Sequence, residues 1–70
     1  MELSARNCLR GTVKSLVVGA VNAEVVIEVA PGVEIVAVIT KASSDRLGLA
    51  VGKEVYGIIK ASDVMVGVGG

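Results

Sequence analysis

Ser4-Ala5-Arg6-Asn7 puts a hydroxyl, a permanent cation and a carboxamide into four consecutive residues, with small Ala5 letting the backbone approach a ligand. A second polar cluster, Lys60-Ala61-Ser62, stands near the other end, and the chain between them is mostly Val, Ile, Ala and Gly. Ser4, Arg6, Asn7, Lys60 and Ser62 are all hydrogen-bond donors. Amides at Ala5, Ala61 and in the turn Gly19-Ala20-Val21-Asn22 add more. Donors with modest positive charge, held where water is scarce, suit a small oxyanion. Spacing alone is equally compatible with Arg6 and Lys60 as surface charges and Ser62 as a turn residue.

Other chemistries lack their residues. There is no His, and no carboxylate lies in an apolar run where burial would raise its pKa. Glu24, Glu28 and Glu34 alternate on what reads as one solvated face, so an acid/base pair and an enzyme are not expected. No glycine run has phosphate-loop or dinucleotide spacing. With one Cys, no His and no Asp-rich loop, neither a zinc nor a calcium ligand set exists. Single-stranded nucleic acid needs aromatic platforms and a basic groove. Tyr56 is the only aromatic and seven basic residues balance seven acidic ones, so no nucleic-acid partner is expected. Unpaired Cys8 fits a reducing cytoplasm and reads as a small buried hydrophobe rather than a reactive thiol.

The elements that must position these donors read as strands. Cys8 to Val18 alternates with Leu9, Gly11, Val13, Ser15 and Val17 on one side, and Gly11 suggests a bulge or sharp coil. Gly19 to Asn22 is a turn. Ala23 to Val29 is a second strand, Ala30-Pro31-Gly32 a tight turn, and Val33 to Thr40 a third strand. Lys41 to Leu47 has poor strand propensity, Thr40 is an N-cap residue and Gly48 a stop, which predicts a two-turn helix. Glu54 to Lys60 is a fourth strand, apolar on both faces, and Val64-Met65-Val66 a short fifth. The expected fold is all-β, a five-stranded OB-like Greek-key barrel with one short helix between strands 3 and 4.

Seventy residues make one domain, and a chain this short hides only about 60% of its unfolded surface. Yet 53% of the residues are hydrophobic, more than one small core can cover. The charge-free runs fall well short of the ~20 residues a spanning helix needs, so no membrane is expected. No basic stretch precedes an apolar one at the start, so no secretory signal is read. The surplus apolar surface therefore predicts a homo-oligomer.

The motifs Ser4-Ala5-Arg6-Asn7, Leu9-x-Gly11-x-Val13, Gly19-Ala20-Val21-Asn22-Ala23 and Lys60-Ala61-Ser62-x-Val64 together resemble the molbindins, small cytoplasmic molybdate-binding proteins once called molybdenum-pterin-binding proteins. The similarity runs from Leu3 to Val66 in one register; Cys8 stands where Gln is usual. The resemblance implies an OB-like subunit, pairs formed by exchanging or sharing strand edges, and a hexamer built as a trimer of dimers. It implies molybdate or tungstate held between subunits, for storage or homeostasis. The main site would use Ser4, Arg6, Lys60 and Ser62 with amides near Ala5 and Ala61. Thr40 and Ser43, from the helix start of a neighbouring chain, would complete it. Asn7 and the turn Gly19, Ala20, Val21, Asn22 would serve that site or a second one near a symmetry axis. The alternatives are a structural or oligomerisation module, or a molybdopterin carrier.

Overall fold

Residues 1–70 are described by a computed structural model. Alternating Val- and Ile-rich runs make β1 (Asn7–Val18), β2 (Asn22–Ala30) and β3 (Val33–Thr40), an antiparallel meander. After the helix α1 (Lys41–Leu47) the chain crosses over, and β4 (Glu54–Ile59) pairs antiparallel with the first half of β1. The sheet order β3-β2-β1-β4 is the Greek-key arrangement.

The sheet curls around a small core. Val13, Val25 and Ile27 are buried, with Leu16, Val29, Ile35, Ala37, Ile39, Leu49 and Val55 packed against them. Curling brings the two edge strands together. A Cβ on Gly57 of β4 would sit 2.2 Å from Cδ1 of Ile35 on β3, so any larger residue there forces the Ile35 side chain to move. Gly11 meets a similar limit, since its Cβ would lie 2.5 Å from the Glu28 carbonyl oxygen. Gly11 is thus a point of close strand approach and not a bulge. The register shift falls three residues later, between Val13 and Ser15. The extra residue, Lys14, reverses the faces predicted for the rest of β1: Leu16 joins the core beside Val25, and Val17 turns outward.

The helix forms as its sequence dictates. Thr40 Oγ1 accepts the Ser43 amide at 3.0 Å, and Gly48 closes the helix in the left-handed region at φ 63°. Lys53 Nζ then donates to the Leu47 and Gly48 carbonyls at 2.6 and 3.2 Å, satisfying the last turn.

Two further expectations fail. Val64-Met65-Val66 forms no strand; the chain makes a 3₁₀ turn over Ala61–Asp63 and then runs on without a sheet partner, leaving four strands. Met65 and Val66 are almost fully exposed, at 93% and 92%. A strand needs an edge to pair with, and the tail reaches none in its own chain. Cys8 is exposed rather than buried, because the pleat of β1 turns it outward with its partner Ile58.

The folded chain leaves much apolar surface open. Only six of 70 residues are buried, and 5279 Å² is accessible. A self-sufficient monomer of 7.1 kDa exposes about 4,100 Å², so the excess is roughly 1,200 Å². Besides the exposed Met65, Val66 and Val68 of the tail, it has two main sources. One is an apolar groove of about 500 Å³ lined by Ala37, Ile39, Leu47, Leu49, Val55 and Ile58, which runs between the β3 and β4 edges. The other is the outer face of the meander, where Val17, Val36 and Val38 are each more than 60% exposed.

Candidate functional site

Pairing of β1 with β4 brings the two polar clusters together. Asn7, the first residue of β1, is the Cα partner of Ile59, the last of β4. Arg6 and Lys60 are therefore the next residues out on either side of one terminal rung. Ser4 lies in a bend and Lys60-Ala61-Ser62 enters the 3₁₀ turn, so both segments turn away from the ladder just beyond it. Ser4, Arg6, Lys60, Ala61 and Ser62 are exposed; Ala5 and Asn7 are half-buried.

The charges at this end are uncommitted. Arg10 pairs with Glu54 at 2.8 Å, and Lys14 lies between Glu28 and Glu34. Neither Arg6 nor Lys60 forms an ion pair or side-chain hydrogen bond. Of the polar side chains here only Asn7 has a partner: its Nδ2 donates to the Ile59 carbonyl at 3.1 Å.

Thr40, Ser43 and the Gly19–Asn22 turn sit elsewhere. Asn22 pairs with Thr40, and the Lys41 amide donates to the Val21 carbonyl at 2.7 Å, so these residues form one cluster. It stands at the far end of β1, separated from Asn7 by the length of a 12-residue strand, up to about 35 Å if straight. Within one chain the two clusters therefore do not meet. In the far cluster Gly19 N–H closes the turn on the Asn22 carbonyl at 2.8 Å, while the Ala20 and Val21 amides have no backbone acceptor. The Thr40 hydroxyl is engaged with Ser43, accepting from its amide and lying 2.9 Å from its Oγ. Ser43 retains a hydroxyl proton to donate. Sequence reading passed over Lys41, a fourth donor type at this end and another cation without an ion pair; its position next to Thr40 was the available signal.

No three His, Cys, Asp or Glu side chains are grouped, and no helix is long and apolar enough to cross a membrane. What the two ends present is donors, two or more cations and no acceptor-rich cage.

Comparison with known proteins gives a consistent picture. The TOBE domain model matches residues 3–66. A molybdenum-pterin-binding protein, MopA, of Rhodobacter capsulatus is 50% identical over 70 residues, which is all of this chain but only 26% of that protein. The chain thus spans about a quarter of that longer relative. A probable molybdenum-pterin-binding protein of Haemophilus influenzae is 48% identical over 68 residues, covering 97% of this chain and 99% of its own. Among solved structures, the cytoplasmic molybdate-binding protein ModG with molybdate bound superposes with a TM-score of 0.92 at 48% identity, covering 99% of this chain and 49% of that one.

Proposed function

This chain belongs to the TOBE-domain family, among its small molybdenum-pterin-binding proteins, and on that premise we propose that it binds molybdate, and tungstate likewise, without catalysing a reaction. The observation that carries the reading is the pair of unpartnered cations, Arg6 and Lys60, held beside one terminal rung with Ser4 and Ser62 at hand. Molybdate near neutral pH is a dianion with no proton to give. A pocket made only of donors suits it, whereas a partly protonated phosphate would turn its own hydrogen toward another donor. One Arg and one Lys offset two negative charges.

The complete pocket lies between subunits. One chain supplies Ser4, Arg6, Lys60, Ser62 and the Ala5 and Ala61 amides; a neighbour supplies Thr40 and Ser43 from its far end. The Gly19–Asn22 turn, with two free amides, serves a second class of site. Assembly is a homo-oligomer, a hexamer of three pairs. The Val64–Val66 tail of one copy enters the groove between β3 and β4 of another and completes a fifth strand there. The surplus of roughly 1,200 Å² exceeds the ~800 Å² per partner of an ordinary interface, which supports more than one contact per chain. Such a protein buffers or stores the oxyanion in the cytoplasm, and the chain is a single binding domain.

Calorimetric titration with molybdate, tungstate and sulfate tests this. Molybdate is expected to bind in the micromolar range or tighter. Arg6→Ala and Lys60→Ala are each expected to weaken it at least about tenfold, the scale of a lost charge-assisted hydrogen bond. Normal binding by both variants, or no heat from the wild-type protein, overturns the proposal.

A further inference from the structure

Asn7 stands apart in its cluster: its side chain alone has a partner within the chain. The Nδ2–H to Ile59 carbonyl bond spans 52 positions of sequence and duplicates a rung the backbone already defines. Beyond that rung both segments leave the sheet, one carrying Arg6 and the other Lys60. The last rung of a ladder opens most easily. Here opening is also driven, because two unpaired like charges flank it and repel. A clasp at this position resists both tendencies.

We propose that Asn7 is a positioning residue, a side-chain clasp over the final β1–β4 rung that fixes the separation of Arg6 and Lys60 before an anion arrives. The inference rests on the anion-binding reading above, but changes the part Asn7 plays in it. A carboxamide acting purely as a ligand aims both N–H groups at the anion; this one commits an N–H to a backbone carbonyl of the opposite strand. The benefit is preorganisation: cations already held at working distance need not be gathered against their repulsion when the anion binds. The sequence signal is Asn at the first residue of a strand directly preceded by a cation.

A double-mutant cycle separates clasp from ligand. Asn7→Leu, close in shape but unable to donate, is titrated with molybdate in the wild-type background and again in Arg6→Ala. The clasp predicts about a tenfold loss of affinity in the wild type, the scale of one lost hydrogen bond. It predicts a loss under about threefold once Arg6 is gone, because one of the two charges needing to be held has been removed. Hydrogen exchange of the Ile59 amide and of the backbone amide at position 7 is expected to quicken in Asn7→Leu without molybdate, which a ligand role would leave unchanged. Asn7→Val, at home in a strand and likewise unable to donate, replaces the leucine variant if that one aggregates. Equal losses in both backgrounds with unchanged exchange identify Asn7 as a direct ligand and overturn the clasp. Unchanged affinity in Asn7→Leu overturns it too. Absence of molybdate binding by the wild type instead overturns the underlying reading.

Discussion

Gly11 and Gly57 mark the two tightest contacts in the sheet, and they differ in what stands opposite. Gly57 faces the flexible end of Ile35, whereas Gly11 faces the Glu28 backbone carbonyl. Gly57→Ala is expected to destabilise by about 1–3 kcal/mol as an overpacked site, and Ile35→Val, which deletes the clashing methyl, to restore most of it. Gly11→Ala has no such remedy, since a ladder carbonyl cannot move aside without loss of register. Chemical denaturation of the two single variants and the Gly57→Ala/Ile35→Val pair checks this; equal rescue of both glycines by side-chain trimming would contradict it. At this scale the donors were legible, because Ser4, Arg6, Lys60 and Ser62 are unusual polar residues at the ends of an apolar chain. The acceptor of Asn7 was not, because it is a main-chain oxygen on a distant strand. Nor was the exposure of Cys8, which depends on which way the pleat of β1 faces.

At the scale of elements, the helix was fully legible from Thr40, Ser43 and Gly48, since caps act within a few residues. The bulge was not. Lys14 is an ordinary strand-face residue in sequence, and only the pairing with β2 shows that it is the extra one. Its role follows from its partners: it ties β1 to Glu34 of β3 and Glu28 of β2 across the outer face. The hydrogen bond from Lys14 to Glu34, then the Coulomb attraction of that carboxylate, hold the ammonium charged above its ordinary value of 10.5. A raised folded-state pKa means the stabilisation is complete below the unfolded value and is lost as pH climbs through the folded one. The wild type is therefore expected to lose a small increment of thermal stability above about pH 10.5 that Lys14→Met lacks, with no difference in slope from pH 6 to 9. High salt shrinks the increment, because both partners are exposed. Thermal melts across that range, at two ionic strengths, measure it.

At the scale of the whole molecule, the sequence showed too much apolar surface but not where it lay. The edge groove and the outer valines exist only once the sheet has curled. The missing fifth strand has the same origin: Val64–Val66 is an apolar run that reads as a strand, but its own chain offers no edge in reach. Deleting residues 64–70 is expected to abolish stable association while leaving β1 to β4 formed, read by sedimentation and far-ultraviolet dichroism. The intact protein is expected to melt at a temperature that rises with its own concentration, as linked assembly requires. Concentration-independent melting of a monomer would count against both.

The length of β1 has a genetic consequence. The strand holds the Arg6 end and the Thr40 end apart, so under the proposed function each subunit is a half-donor to two different pockets. Two defective alleles, Arg6→Ala and Thr40→Val/Ser43→Ala, ought then to complement one another. Co-expressed and randomly mixed, they would regenerate roughly a quarter of the pockets with every original group present, a recovery that cyclic sharing permits and a self-contained pocket forbids. Molybdate bound per subunit in mixed assemblies, set against each variant alone, reads that recovery directly.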